Sequence, residues 1–312
     1  AFGRHAQRKV IAAGMQAVVA GADLREDQYT YSLLAAPNYP ELTDELVTLN
    51  SDRGETGFII IDTPMRKNAT EALAWVKNTA VATENGEDGL VTNNTYSAAY
   101  YPAGSSTEPV AGKTVIVPPS HMALYTFAYN DNISFPWFAP AGLTRGVVQN
   151  ASAVGFITSE GEFKAITLTQ GQRDTMYTAK LNPITTFTGQ GTVIYGQKTL
   201  ASTTTALDRI NVARLVAYLR ERFDNIARPF LFEQNDAQTR ARAKQVFERF
   251  LADILSRRGV TDFAVVCDTS NNTPARIDRN ELYIDVAIEP TKSVEFIYIP
   301  IRIVNTGTLS NV

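Results

Sequence analysis

Apolar residues in the first 120 positions follow two different spacings. Residues 57–63, GFIIIDT, are apolar on both faces, which is typical of a strand in a parallel sheet covered by helices. Residues 39–49 and 68–80 have helical spacing, and Asn68 or Thr70 is the predicted N-cap of the second helix. Further strands are predicted at 29–37, 96–103 and 113–119. Strands that alternate with helices predict a layered α/β domain.

Residues 8–20 at the beginning of the chain predict one more helix. Its apolar side chains are expected on a single face, made by Val10, Ile11, Met15, Val18 and Val19. The middle of the chain, from 120 to 195, has weaker patterns. It predicts a helix after Ser120 and strands near EFKAITLT and GTVIYG.

Two helices with clear apolar faces follow residue 200. Asp208 is the predicted N-cap of the first helix and Asp236 that of the second, which Gly259 should end. Strand-like runs come next at 262–269 and 281–290. The change of pattern at ASTTT predicts a boundary, with an α/β domain over 1–200 and an α+β domain over 201–312.

The last apolar run, VEFIYIPIRIV at 294–304, has almost no polar face. Pro300 has no N–H to donate, so the strand must lie at a sheet edge or break in two. An apolar strand near a chain end must be paired, either by its own sheet or by another subunit. The candidate subunit-interaction residues are Val294, Phe296, Tyr298, Ile299, Ile301 and Ile303.

Composition narrows the class of protein. The chain has 312 residues, of which 44% are hydrophobic and 20% charged, with a net charge of −3. These values are ordinary for a globular protein and give no sign of a nucleic-acid partner. No run of about 18 apolar residues predicts membrane insertion. The single Cys267 excludes an internal disulfide.

The stretch GTVIYGQKT at 191–199 resembles a phosphate-binding loop but differs from it in two ways. Gln197 separates Gly196 from Lys198, whereas the lysine of a phosphate loop follows the glycine directly. The residues between the glycines favour a strand, and no helix begins directly after them. We therefore interpret the stretch as a glycine-flanked strand and expect no cofactor there.

Other chemistry is equally weakly supported. The two histidines, His5 and His121, are far apart, and the polar run 268–281 lacks the regular acidic spacing of a calcium loop, so no metal site is expected. No nucleophile elbow is present, and only Ser120 beside His121 leaves a catalytic triad open. We expect a protein that is not an enzyme.

Arginines are dense on the two C-terminal helices. They decorate either an ordinary solvated surface or a docking face for an acidic partner. The candidates for such a docking face are Arg209, Arg214, Arg220, Arg240 and Arg249.

Eight short blocks, taken together, resemble contractile tail sheath proteins of bacteriophages. The family carries similar blocks in the same order, although FEPND reads FEQND here, with Gln234 for proline, and VPPSG reads VPPSH. The blocks in this chain are the YYP segment at 96–102, VPPS 117–120, APAG 139–142, LNP 181–183, the GTVIYGQKTL strand 191–200, INVARL 210–215, FEQND 232–236 and CDTSNNT 267–273.

The resemblance implies a fold and a mechanism. It implies a subtilisin-like α/β sheet without a catalytic triad, followed by a smaller α+β domain nearest the tail tube. Subunits of the family form stacked hexameric rings around the tube, exchange terminal strands and contract to drive the tube through the host envelope. The implied partners are neighbouring sheath subunits, the tail tube protein, the baseplate and the tail terminator, in a virion assembled in the bacterial cytoplasm.

Further expectations concern the start of the chain and two alternative functions. The start AFGRHAQRK has no initiator methionine, so we expect a piece of a longer protein that lacks an N-terminal arm and stays monomeric. A sheath of another contractile injection machine, such as a tailocin or a type VI system, is one alternative function. An α/β hydrolase with an unrecognised triad is the other.

Overall fold

The computed structural model of the protein describes residues 2–26, 28–77, 89–90 and 93–299. The strands in these residues are β1 Leu33–Ala35, β2 Phe58–Asp62, β3 Ser97–Tyr101, β4 Ala103–Thr107, β5 Thr114–Val117, β6 Ala153–Ile157, β7 Phe163–Ala165, β8 Leu181–Phe187, β9 Gly191–Ile194, β10 Val260–Val266 and β11 Asp285–Pro290. The α-helices there are α1 Phe2–Ala20, α2 Thr43–Asp52, α3 Ala69–Val76, α4 Pro119–Ile133, α5 Gly142–Arg145, α6 Gln170–Thr178, α7 Ile210–Ala227, α8 Ala237–Ser256 and α9 Pro274–Ile277. None of them is both long and apolar enough to cross a membrane.

The strands form three sheets. The largest has the order β1-β2-β3-β8-β9, in which the first four strands are parallel and β9 is antiparallel to β8. A four-stranded antiparallel sheet has the order β5-β4-β6-β7, and β10 pairs only with β11. The mixed α/β architecture predicted from the sequence is confirmed.

Helices cover both faces of the five-stranded sheet. On one face Phe58 and Tyr100 pack with Phe127 of α4 and with the start of α7. On the other face Ile59 and Tyr101 belong to a second core with α2, α3 and α6. All five residues of β2 are buried, which agrees with the apolar run at 57–63. A buried parallel strand needs apolar side chains on both sides because each face meets a helix layer.

Helix α7 joins this α/β core to a third core. Its first six residues, 210–215, are all buried. Ile210 packs into the core below the large sheet, whereas Leu215 and Leu219 pack with α8, β10 and Trp137. A helix that is buried all round its first turns lies between two layers rather than on a surface.

Two sequence predictions about helices are wrong in detail. In α1 Val10 and Val18 are exposed, because α1 packs on α2 through the face that carries Ala12 and Val19, and Arg8 Nε donates at 2.6 Å to Glu41, just before α2. Asp208 does not cap α7: it lies in a short 3-10 turn and pairs with Arg209 at 2.9 Å. The predicted cap of α3 is confirmed, since the Asn68 side chain accepts the backbone N–H groups of the first turn.

Arg214 and Arg240 do not belong to an exposed docking face in this structure, because both side chains are buried. Arg214 is 3% exposed, lies over the Phe127 ring and donates two hydrogen bonds to Asp131, at 2.9 and 2.5 Å. Arg240 donates to the backbone and side-chain oxygens of Asn235. Buried arginines of this kind join elements and offer no surface to a partner.

A buried carboxylate joins three elements at the carboxyl end of β2. Asp62 accepts the backbone N–H of Asn38 at 2.7 Å, and both the backbone N–H and the hydroxyl of Ser120, at the start of α4. Burial raises the pKa of Asp62 from 3.8 to about 6, although these hydrogen bonds act in the opposite direction. The folded state therefore binds this proton more tightly than the unfolded chain does.

We predict that Asp62 makes a contribution to stability that increases as the pH falls through 6. The free energy of unfolding should gain about 1 kcal/mol from this group between pH 7 and pH 5. Urea unfolding of the wild type and of Asp62→Asn at several pH values measures this contribution as the difference between the two proteins. A difference that is constant with pH would contradict the raised pKa.

We also predict that Arg214→Met lowers the free energy of unfolding by roughly 2–3 kcal/mol, since it leaves Asp131 without its buried partner. The matched control is Arg249→Met on α8, an exposed position, which should change stability by less than about 0.5 kcal/mol. Denaturant midpoints compare the two variants. Equal losses would show that the Arg214–Asp131 pair has no special weight.

Candidate interaction site

The C-terminal apolar segment, defined here as residues 294–299, is exposed and unpaired. Its apolar side chains are between 66% and 86% exposed, with Tyr298 the most exposed of them. The sequence predicts an edge strand here, but the described residues form no strand ladder. Two predicted interaction residues, Ile301 and Ile303, lie outside the described residues. The chain's own described sheets therefore do not pair residues 294–299, and pairing by another subunit stays a prediction.

The single acidic residue of this segment is held by a charged anchor. Glu295 accepts hydrogen bonds from Arg209 Nε at 2.5 Å and from Gln197 Nε2 at 3.0 Å. Gln197 also contacts the Ser293 hydroxyl. The Glu295 side chain is 15% exposed and that of Arg209 is 27% exposed, so water screens the pair only partly.

The anchor exists because the chain after β9 is fixed in place. The Asn182 side chain, in β8, pairs with both backbone groups of Lys198, at 2.8 Å each. A bridge then joins Lys198 to Arg209, which places Gln197 and Arg209 side by side. Gly196 permits this approach, since a Cβ there would lie 2.8 Å from Asn182 Oδ1. The stretch GTVIYGQKT is thus a strand followed by half of the anchor.

Two further groups line the anchor. Lys198 Nζ lies 4.4 Å from the centre of the Tyr177 ring, on α6. Burial and the Glu295 carboxylate raise the pKa of Tyr177 above its usual value. Burial, and then Arg209, lower the pKa of Lys198. The Glu295 carboxylate therefore lies beside two cationic side chains and the Tyr177 phenol.

The sheet of β10 and β11 is the second element of the site. One side of it packs on α7 and α8 through residues such as Val265 and Ile288. Each strand has one partner, so among the described residues both outer edges carry unpaired backbone groups. A two-stranded sheet is marginal alone and gains stability from added strands. Unpaired edges next to an exposed apolar segment are the geometry of strand addition.

The remaining candidate arginines differ in their surroundings. Arg209 belongs to the anchor, and Arg220 pairs with Glu55 over the Tyr96 ring. Arg249 is exposed on α8, and no ion pair to it occurs within the described part of the chain. Of the five predicted docking residues, Arg249 is therefore the one whose charge is directed at solvent alone.

Ser120 and His121 do not form a catalytic pair in this structure. The Ser120 hydroxyl donates to Asp62 at 2.8 Å and is fully buried, whereas the His121 side chain is exposed. The loop at 268–281 is held by its own amides: Asn271 donates to Val266 O and Asp285, and Asn272 donates to Tyr283 O. Over the described ranges, no group of three or more histidine, cysteine or acidic residues could hold a metal ion.

Sequence reasoning missed Glu295 and Gln197 as functional residues. One signal was available, since Glu295 is the only acid inside an otherwise apolar run. An acid at such a position requires either solvent or a cation, and the dense arginines upstream could supply the cation. Which arginine does so could not be read from the spacing, because 86 residues separate Arg209 from Glu295.

Comparisons with known proteins agree with the resemblance. Residues 202–304 match the model of the phage tail sheath C-terminal domain. The tail sheath protein of Vibrio phage KVP40 is 39% identical over 170 residues, which cover 54% of this chain and 24% of that protein. The tail sheath protein of Enterobacteria phage T4 is 38% identical over 181 residues, 58% of this chain and 26% of that protein. The matches thus span about a quarter of each relative.

Solved structures share the fold at lower identity. A chain of the anti-feeding prophage baseplate in its contracted state is 22% identical with a TM-score of 0.70, covering 90% of this chain and 75% of that one. A chain of the PVC sheath complex of an extracellular contractile injection system, also contracted, is 19% identical with a TM-score of 0.68, covering 88% and 71%. At these identities the likeness shows the fold alone.

The relatives are tail sheath proteins by name, which agrees with the prediction that the chain is not an enzyme. Their names also confirm the expected class, the structural proteins of contractile phage tails. Residues 202–304 therefore match the phage tail sheath C-terminal domain, and about half of the chain is similar to tail sheath proteins of phages.

Proposed function

We propose that the protein is a subunit of a contractile phage tail sheath that assembles as stacked hexameric rings around a tail tube. Contraction of the sheath drives the tube through the host envelope. Neighbouring subunits, the tube, the baseplate and the tail terminator are its partners. It functions in the virion after assembly in the bacterial cytoplasm. The family relationship supports this function, and one structural observation carries it: an exposed apolar segment beside a sheet with free edges.

After β11 the chain runs along contacts that hold it away from the edges of its own small sheet. Thr291 N–H donates to Gly259 O, and Asn211 donates to Thr291 O. Ser293 and Glu295 then contact Gln197, and Glu295 also contacts Arg209. None of these contacts adds a strand to β10 or β11. The chain's own segment therefore leaves both edges of its small sheet open.

The exposed apolar residues 296–299 need a partner that covers them. Four of its residues, 296–299, extended as a strand would span about 13 Å and carry only apolar or aromatic side chains. An exposed run of this kind associates unless it is paired. We commit to one occupant, the β10–β11 sheet of a second copy, because that sheet has the free edges and a face that is already packed. Exchange of this kind keeps subunits connected while they move.

The parallel sheet β1-β2-β3-β8 gives the exchange a rigid base. Its two covered faces agree with the subtilisin-like domain that the family resemblance implies, here with Ser120 and Asp62 used to tie elements together. We propose that the chain before and after residue 200 forms two domains that move as one body, since α7 packs into both.

A sheath of another contractile injection machine remains the second candidate. The likeness to chains of the anti-feeding prophage and PVC assemblies favours it only at the level of fold. The higher identity to phage sheath proteins favours the phage assignment.

Negative-stain electron microscopy of the full-length protein tests the proposed function. Hollow tubes with a striated wall of stacked rings are the expected result. Discrete globular particles at concentrations where sheaths polymerise would contradict it.

We predict that replacing Ile297 and Ile299 together by aspartate abolishes tube formation in the full-length protein. The monomer should keep its thermal midpoint, because these side chains contact almost nothing within one chain. The control is Val110→Asp, in the β4–β5 turn, where the replaced side chain is 93% exposed. Normal tubes from the double variant would rule out strand exchange through this segment.

We predict that Arg249→Glu weakens growth on purified tail tubes more than it weakens self-assembly without a tube. Its charge faces solvent, so reversal should repel an acidic tube surface and leave the fold intact. Arg228→Glu, in an exposed pair with Asp224, is the control. Pelleting with and without tubes gives both quantities, and equal losses in the two assays would remove the docking role of Arg249.

A further inference from the structure

The chain after β11 has a hydrogen-bonded part, residues 291–295, followed by an exposed apolar part, residues 296–299. Residues 291–295 make five hydrogen bonds to the rest of the fold, from or to Gly259, Asn211, Gln197 and Arg209. The side chains of residues 296–299 are all exposed, and none of them makes a hydrogen bond to another residue of the described ranges. Glu295 lies at the boundary between the two parts.

The contacts at this boundary are stronger than those at the surface. Glu295 is the least exposed side chain of the segment and the only ionised one. A charge-assisted pair that is mostly withdrawn from water is worth more than an exposed pair. Its second oxygen, Oε2, is buried, and the Tyr177 phenol also lies beside the carboxylate. Loss of Arg209 would therefore leave a poorly solvated carboxylate.

We propose that Arg209 and Gln197 form a latch on Glu295, and that this latch fixes the point where the anchored chain ends and the exchangeable strand begins. The latch itself is a property of one chain. Its consequence for assembly rests on the proposed function, because only there does the strand pair with a second copy.

The latch sets the register of the exchanged strand. In an extended strand Ile297 and Ile299 share the side of Glu295, while Phe296 and Tyr298 take the other side. With Glu295 held by Arg209, each pair has one assigned face. A slip by one residue would exchange the two faces, and it becomes accessible only when the latch opens.

Limited trypsin digestion at Lys292 tests the latch. Lys292 is exposed, but cleavage after it requires the held residues around it to open. When opening is fast, the cleavage rate follows the population of the open form. We expect cleavage after Lys292 to become about tenfold faster in Glu295→Gln, once divided by the rate on a synthetic peptide of the same sequence.

The matched control is Glu289→Gln, the same chemical change at an exposed position on β11. It should leave the rate at Lys292 unchanged. Arg209→Met should speed cleavage at least as much as Glu295→Gln does, with a single cooperative unfolding transition of the whole protein as the check of folding. The double variant should be no faster than either single variant, since both remove the same pair.

Two results would overturn the latch: an unchanged rate in Glu295→Gln, or a double-variant rate equal to the product of the two single effects. Electron microscopy separates this from the proposed function. If the wild type forms tubes but cleavage at Lys292 is no faster in Glu295→Gln, the latch alone is rejected. A tenfold faster cleavage in a protein that forms no tubes would reject the sheath function and retain the latch. If both hold, Glu295→Gln should need about tenfold more protein to polymerise, because the strand must first be ordered.

Discussion

The burial of α7 on two sides is the constraint on which the rest of the structure depends. Its first turns pack into the core below the parallel sheet, and its middle packs against α8 and β10. Residues 210–215 have no free surface, so the helix cannot shift against one layer without disturbing the other. A displacement of the small C-terminal sheet would therefore be passed directly to the α/β core.

The polar groups buried around α7 reinforce this connection. Arg214 reaches from α7 to Asp131 at the end of α4, and Arg209, just before α7, reaches Glu295 beyond β11. Asp62 ties β2 to the start of α4. In an enzyme, a buried carboxylate beside a serine at the end of a parallel strand would suggest catalysis. Here each such group is hydrogen-bonded to backbone, to a neighbouring polar side chain or to an ion-pair partner, and its effect is to fix elements to one another.

The C-terminal segment combines two opposite properties within nine residues. Residues 291–295 are held by directional contacts, and the side chains that follow are apolar and exposed. Rigidity up to Glu295 lowers the entropy that a pairing strand must lose, while the free part supplies the apolar area that makes pairing favourable. This division suits a strand that is exchanged between subunits that keep their connections during a large rearrangement.

The sequence by itself determined the elements whose patterns are local. The apolar run at 57–63 predicted a covered parallel strand, Asn68 and Asp236 predicted helix caps, and the glycine-flanked stretch at 191–199 predicted a strand. These succeed because side-chain period and capping hydrogen bonds act within a few residues. The eight ordered blocks also indicated the likeness to tail sheath proteins that the comparisons report.

Only the tertiary structure decided the roles of individual charges. The five candidate arginines have different surroundings. Arg214 and Arg240 are buried, Arg209 binds Glu295, Arg220 forms a surface ion pair, and Arg249 is exposed. The run after 293 reads as a sheet strand, yet its described part, residues 294–299, pairs with no described strand of the same chain. Both outcomes depend on which distant segment lies opposite: Asp131 is 83 residues from Arg214, and Glu295 is 86 from Arg209. Periodicity along the chain carries no information about partners at that separation, because packing of the layers, not local preference, brings them together.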